Sequence, residues 1–581
     1  MKRHGVPFYT GSEKRQLSPF LRNSSLEQSK KPLRIIVVGG VAGGASAATR
    51  ARRVNANAEI TMLERDSVVS FANCGLPYHV GGEIEKRQSL IVAKQELFWN
   101  RFRIQVKTRC EVVEIDRQTK TLHAMDRESG KPLTIAYDRL ILAPGAEPNR
   151  PSYCNPMPSN AFHLWTLADM DGILAKLKSG SVAHAVVVGG GFIGLEVVEQ
   201  LHRRGVHVTL VERDPQILAR LDRVFAKMVE NHLETKSIAL QLGNTIESLK
   251  VENGKAVSAT LQDGRVLTLD LLIVGTGVKP RTALASQCGL SLGKEGGVTV
   301  NEFMQSSDPN IYAVGDIAEY TNGVTSKRGI NPLAGPANRS GRIAGTHAAT
   351  GVSEPMGSVL GTSIVRVFDL TAACTGLNER NLVANGLPFR TTIIQAPHHA
   401  SYFPGAQSMQ LKILYSPTDG KLLGAQAVGG EGVDKRIDIL ATAMHFGGTV
   451  FQLAQLDLAY APPYGSAKDP IHMAAFTACN DLQGTPTLAL PDVDLSNAQI
   501  VDVRTPAERE TLPLEKAIAI EVDDFPSRLH ELDPERVTVV VCHSGKRAHV
   551  AAAWLRSSGF KSVFNLTGGM SIRSLTEAFR S

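Results

Sequence analysis

No two cysteines in this 581-residue chain form a CxxC pair. The seven present, Cys74, Cys110, Cys154, Cys288, Cys374, Cys479 and Cys542, are scattered along its length. That pattern argues against a zinc site and against a disulfide framework, and an odd, widely spaced set suits a reducing cytoplasm. No metal site is expected. Long apolar runs are also missing: none reaches the roughly 20 residues that span a bilayer, so no membrane segment is expected. Positive charge is scarcer than the formal net charge of +7 implies, because residues 1–31 hold seven Lys or Arg against two Glu. The remaining body is close to neutral. This argues against a nucleic-acid-binding surface while leaving room for a local basic pocket. Residues 1–31 lack the apolar core of a secretory signal and read as a disordered basic extension or a misassigned start, with a transit peptide as the weaker alternative.

What is present is ordinary for a globular chain, 43% hydrophobic and 20% charged, and the length predicts about three to five domains. Residues 34–38 read as a buried parallel strand. It runs into Gly39-Gly40-Val41-Ala42-Gly43-Gly44 and an Ala-rich helix, with a second strand ending at Glu64. That is a dinucleotide-binding βαβ unit: glycine lets the backbone approach a pyrophosphate at a helix start, and the acidic residue accepts hydrogen bonds from a ribose. Val41 stands where the usual fingerprint has glycine, which weakens this copy. A cleaner copy follows, with Gly189, Gly191 and Gly194 after a Val-rich strand and Glu212 closing the next strand. Two such units imply two dinucleotides. Apolar strands at residues 140–142 and 271–274 end in glycine turns and close the two units, and Gly315-Asp316 follows a further short apolar strand.

Two cysteines occupy positions that suit chemistry. Cys74 lies in Ser70-Phe71-Ala72-Asn73-Cys74-Gly75-Leu76-Pro77-Tyr78, between turn-forming residues. A thiol there is expected to have a lowered pKa from a helix start or a bound cofactor. The fifth residue after it is His79, so a CxxxxC dithiol is absent. Cys542 ends the strand at residues 537–541 and is followed by His543-Ser544-Gly545-Lys546-Arg547 and a helix through Trp554, a cradle of amides suited to an anion. Its spacing to Arg547 is shorter than in a phosphatase loop.

The residues around Cys74 resemble the active-site segment of single-cysteine flavoprotein disulfide reductases. The match is greatest to the coenzyme A disulfide reductases and their rhodanese-fused relatives, the NADH-dependent persulfide reductases, and it extends over nearly the whole chain. The resemblance implies an α/β fold with two Rossmann-like domains, an α+β dimerisation domain and a C-terminal rhodanese-like α/β domain. The expected bounds are 33–150 with 273–345 for FAD, 151–272 for NAD, 346–484 for dimerisation, 485–494 for a linker and 495–581 for rhodanese. It implies FAD on Gly39, Gly44, Glu64, Gly315 and Asp316, with NADH on Gly189, Gly191, Gly194 and Glu212. NADPH stays open because Arg213 could meet a 2′-phosphate. Coenzyme A is implied at Ser46, Arg50, Arg53, Ser70 and Asn73, with Lys468 of the partner subunit in a homodimer. Tyr402 and Tyr460 are implied at the catalytic site, although as residues they serve equally well as packing aromatics. Cys74 is then the nucleophile and Cys542 the sulfane-sulfur carrier, helped by Lys546 or Arg547. Two other readings stay open: an NADH peroxidase or oxidase cycling Cys74 through sulfenic acid, and a non-enzymatic sulfur carrier or redox sensor.

Overall fold

The computed structural model describes residues 31–577. The basic extension therefore lies outside them apart from Lys31. Four five-stranded sheets carry the chain. In the first, strand Arg34–Val38 lies between Glu59–Leu63 and Arg139–Leu142, all parallel, with Ile311–Ala313 and Ile104–Lys107 at the edges. The second repeats the plan: His184–Val188 pairs in parallel with His207–Glu212 and Leu271–Val274. Strands buried on both faces need continuous apolar runs rather than alternation, and Ile35, Val37, Leu140 and Ile141 are wholly buried. The insertion of the second unit into the first is closed by the antiparallel pair of Ala146–Pro148 and Val278–Pro280. The later segment 311–313 thereby returns to the first sheet.

The Ala-rich composition of helix Ala42–Val54 has a packing cause. It crosses helix Ala334–Thr350 so closely that a Cβ on Gly341 would lie 2.3 Å from the Gly43 carbonyl oxygen, and one on Gly345 would lie 2.3 Å from that of Ala47. Only glycine fits at either crossing point.

The third sheet is antiparallel, in the order Ser363–Val367, Leu370–Gly376, Leu422–Gly429, Ser408–Tyr415, Arg390–Pro397. Helices Val433–His445 and Pro470–Leu482 share its core. The fourth is parallel and holds Cys542 at the end of Thr538–Val541, next to Gln499–Asp502 and Val563–Leu566. One of its two edge strands is Thr487–Ala489, paired with Val563–Leu566. Residues 487–489 of the stretch 485–494, expected as a linker, are therefore part of this sheet. The Leu488 N–H also donates to Asp481 at 2.7 Å, which fastens the strand to the preceding helix. A short segment without periodicity reads as a linker in sequence because its hydrogen-bonding partner lies some 75 residues further on.

Candidate functional site

The two dinucleotide cradles are superposable in their constraints. Gly39 and Gly189 have φ of +96° and +107°, and a Cβ on either would lie 2.1 or 2.2 Å from the carbonyl oxygen of Ala143 or Gly275. Gly44 and Gly194 each pack at 1.9 Å, measured to an added Cβ, on the carbonyl oxygen of Gly39 or Gly189. These four glycines therefore serve the turn and the strand-to-helix contact. Gly191 faces open space within 4 Å, the approach a pyrophosphate needs. The acidic residues match as well. Glu64 accepts from the N–H groups of Gly40 (2.8 Å) and Asp66 (3.0 Å), and Glu212 from those of Gly190 (2.6 Å) and Asp214 (2.8 Å). Each carboxylate is pinned beneath its glycine turn with lone pairs to spare for ribose hydroxyls.

Asp316 supplies a test of whether the first cradle fits a flavin nucleotide. It sits in the turn Gly315–Ile317, and among the described residues its carboxylate finds no hydrogen-bond donor, so burial pushes its pKa up to about 6. A half-buried carboxylate without a protein donor is costly, and a polyhydroxyl chain is the kind of ligand that repays it. The residues present fit FAD.

Cys74 occupies the single turn Asn73–Gly75 that leads into helix Leu76–Gly81. Its side chain is exposed, its N–H donates to Asn73 Oδ1 at 3.0 Å, and its Sγ lies 3.7 Å from the same oxygen. The expected lowering of its pKa is not what the chain provides. Desolvation, then the carboxylates of Glu196 and Asp316, push the thiol upward. A six-residue helix and no adjacent cation leave thiolate stabilisation to whatever binds beside it. Ser70 adopts φ +52°, and its N–H donates to Gly40 O at 2.9 Å while its carbonyl accepts from Val92 and Ala93. This ties the Cys74 loop to the start of helix Ala42–Val54.

That helix displays Ser46, Arg50 and Arg53 at i, i+4 and i+7, on one face. Ser46 Oγ donates to Asn338 Oδ1 (2.6 Å) and Arg50 Nε to Thr346 Oγ1 (2.9 Å), both acceptors on helix Ala334–Thr350. Arg53 stacks on Phe102. Burial and the neighbouring guanidiniums of Arg342 and Arg53 lower the pKa of Arg50, with Glu354 opposing. Asn338 and Arg342 escaped the sequence reading, although their i, i+4 spacing on a small-residue helix was visible. A ridge of like charge on two packed helices fits a polyphosphate ligand such as coenzyme A.

Glu196 lies on helix Phe192–Arg203, just behind the second glycine turn. It accepts from Tyr78 Oη at 2.9 Å and exerts the largest charge effect on Cys74. Arg366 covers the Tyr78 ring at 5.3 Å and is held by Glu83 and by Glu199 (2.7 Å). One network thus joins the Cys74 helix, the second dinucleotide unit and the antiparallel sheet.

Tyr402 and Tyr460 are brought together, Oη to Oη at 3.0 Å, and both are exposed. Tyr464 and Lys468, a few residues further along the chain, are exposed too. None of these residues is placed in this chain's own Cys74 turn. In the fourth sheet, Cys542 is buried and the Gly545 N–H donates to its Sγ at 3.1 Å. Lys546 is exposed. Arg547, expected to meet a persulfide, is committed to Glu508 through bonds of 2.8 and 2.6 Å, although it stays close enough to Cys542 to feel its charge. The strand end at Asp502 holds a fully buried Asp502–Arg504 ion pair of 2.7 Å.

Residues 33–352 match the pyridine nucleotide-disulphide oxidoreductase family, 362–470 its dimerisation domain and 487–571 the rhodanese-like domain. The chain therefore belongs to the pyridine nucleotide-disulphide oxidoreductase family, and it is an FAD-dependent oxidoreductase that draws electrons from a pyridine nucleotide. Within that family it is similar to coenzyme A disulfide reductase of Staphylococcus aureus (strain bovine RF122 / ET3-1), with 35% identity over 445 residues, which are 77% of this chain and 99% of the relative. The crystal structure of reduced Bacillus anthracis CoADR-RHD is 39% identical with a TM-score of 0.92, over 94% of this chain and 99% of that one. The NAD-dependent persulfide reductase from A. fulgidus is 36% identical with a TM-score of 0.87, over 93% and 100%. Among the described residues no helix is long and apolar enough to cross a membrane, and no cluster of side chains could hold a metal.

Proposed function

We propose that the chain reduces a coenzyme A persulfide, a polysulfide or coenzyme A disulfide with NADH, through a mixed disulfide at Cys74, and that its rhodanese-like domain delivers sulfane sulfur from Cys542. The observation that carries this reading is one exposed thiol, without a second cysteine in its motif, tied through Ser70 to a helix whose arginines await a polyphosphate. Residues 33–150 with 273–345 would bind FAD on Gly39, Gly44, Glu64, Gly315 and Asp316. Residues 151–272 would bind NADH on Gly189, Gly191, Gly194 and Glu212. Bound FAD supplies the two-electron relay between nicotinamide and sulfur. The Cys74 thiolate attacks the inner sulfur of CoA–S–SH and expels hydrosulfide, leaving Cys74–S–S–CoA. One hydride equivalent from NADH and one proton then return the Cys74 thiol and free CoA–SH. Ser46, Arg50, Arg53, Ser70 and Asn73 would hold the coenzyme A, and Asn338 and Arg342 extend that surface. Because Tyr402 and Tyr460 stand exposed as a hydrogen-bonded pair and Lys468 is exposed on the same domain, the three are assigned to the partner subunit's Cys74 centre in a homodimer.

The discriminating measurement is the intact mass of the protein as isolated, before and after a thiol reductant. A reductant-labile adduct of coenzyme A mass on the Cys74 peptide is the expected result. A single added oxygen there would replace this reading with a peroxidase cycle through sulfenic acid.

NADH is expected to exceed NADPH in kcat/KM by about tenfold or more, since a carboxylate facing a 2′-phosphate adds an unfavourable charge contact. Arg213 does not offset this: it is largely exposed and points toward Asp214 at 3.7 Å. Steady-state rates with the two nucleotides decide it, and a preference for NADPH would remove Glu212 from the ribose.

A further inference from the structure

We propose that the turn at residues 567–571 transmits docking of the rhodanese-like domain into the geometry of the Cys542 loop, with Thr567 as the positioning residue. The inference rests on the reading of Cys542 as the sulfur-carrying thiol only for its purpose, since its geometry stands apart. Strand Arg390–Pro397 is the edge of the antiparallel sheet, and an edge presents backbone groups that need a partner. Thr567 supplies it. The Ile393 N–H donates to Thr567 Oγ1 at 2.8 Å, that hydroxyl reaches the Ile393 carbonyl at 3.2 Å, and the Gly568 N–H donates to the same carbonyl at 3.1 Å. Thr567 is only 2% exposed. A buried hydroxyl engaged on both sides does a job that packing alone would leave to valine.

The other side of the same turn grips the reactive loop. The N–H groups of Met570 and Ser571 donate to the carbonyls of Cys542 (2.9 Å) and His543 (3.0 Å). They belong to the first turn of helix Gly569–Glu577, where amides have no partner within the helix. Gly568 and Gly569 have φ of +71° and +61°, and a Cβ on Gly569 would lie 2.5 Å from the Cys542 carbonyl oxygen. Within the loop, the Gly545 N–H meets Cys542 Sγ, and Asn565 Nδ2 donates to the Gly545 carbonyl at 3.1 Å. Five residues thus carry three bonds to another domain on one side and two loop carbonyls on the other. One residue on, Ile572 is fully buried in a core shared with Ile393, Val428 and Val229. The last helix is thereby wedged between the antiparallel sheet and helix Arg223–Thr235.

The test uses the full-length holoenzyme with Thr567→Val, which keeps the shape and removes the hydroxyl, and Thr567→Ser, which keeps the hydroxyl. Ile572→Ala loosens the same docking without touching a hydrogen bond. Hydrogen exchange is read at the amides of 568–571 and 543–547, and alkylation of the Cys542 peptide by iodoacetamide is followed against pH. In Thr567→Val, exchange should rise about tenfold at both segments together, the size expected from losing one buried hydrogen bond. The alkylation profile of Cys542 should change with them as the Gly545 amide loses its alignment on sulfur. Ile572→Ala should give the same paired change, and Thr567→Ser should stay within about twofold of wild type. Flavin reduction by NADH at the wild-type rate checks that the fold is intact. Faster exchange at 568–571 with 543–547 and the alkylation profile unchanged would overturn the proposal, as would no change at 568–571. Failure of wild-type Cys542 to accept sulfane sulfur would remove the carrier reading while leaving these readouts to decide the coupling.

Discussion

Cys74→Ser is expected to lower turnover of disulfide and persulfide substrates by about four orders of magnitude or more, a loss typical of removing a covalent nucleophile, while NADH still reduces the flavin at close to the wild-type rate. The two halves of the result follow from the placement of the thiol. A serine hydroxyl cannot form the sulfur–sulfur bond on which the reductive half depends, so no weaker version of the same route remains. The nucleotide cradles, by contrast, are built from the glycine turns at 39–44 and 189–194 and from Glu64 and Glu212, none of which contacts residue 74. Replacing one exposed side chain on a three-residue turn also leaves the buried cores untouched, so the variant should fold and load its cofactors normally. Rapid-mixing absorbance of the flavin against NADH, followed by assay of released thiol or sulfide, separates the steps. Sulfide release by Cys74→Ser at the wild-type rate would end the assignment of Cys74 as nucleophile.

What could be seen in the sequence follows how local each feature is. Strand, glycine turn, helix and acidic strand end lie within about 30 residues of each other, and both cradles appear where the sequence places them. Cys74 was legible because its turn formers are adjacent to it. Contacts made across long separations were not. Glu196 meets Tyr78 from 118 residues away, Ser46 meets Asn338 from 292, and Thr567 meets Ile393 from 174. No periodicity reports such pairs. The lowering of the Cys74 pKa expected from a helix start failed for the same reason. A helix start can be read locally, but it is too short here, and what opposes it, desolvation first and then the carboxylates of residues 196 and 316, comes from the folded surroundings. The stretch 485–494 misled because an edge strand of three residues, Thr487–Ala489, carries too little pattern to show itself.

Cys542→Ser should leave reduction of small coenzyme A persulfides and coenzyme A disulfide within about twofold of wild type, and should impair donors that must first load the rhodanese loop by about a hundredfold or more, the scale on which a linked module raises local concentration. A flexible tether is the simplest picture of such a fusion, but the domain is not free on one. Leu488 is bonded to Asp481, Thr567 to Ile393, and Ile572 lies in a core shared with the second dinucleotide unit. The position of Cys542 is therefore set by docking, and its advantage over a free carrier comes from orientation as well as proximity. The loop amides, the start of helix Lys546–Ser557 and exposed Lys546 would meet the charge of a persulfide, with Arg547 reaching Cys542 from its bond to Glu508, whose pKa it pulls down to about 2. That pairing persists at every pH above this value, so acidification within the physiological range should not free the guanidinium. Rates for a panel of sulfur donors, from small coenzyme A persulfides to donors too large to reach Cys74, give the comparison. If Cys542→Ser used every donor as well as wild type, the carrier role would be lost, and the domain bonded to Ile393 would be a passive docking module.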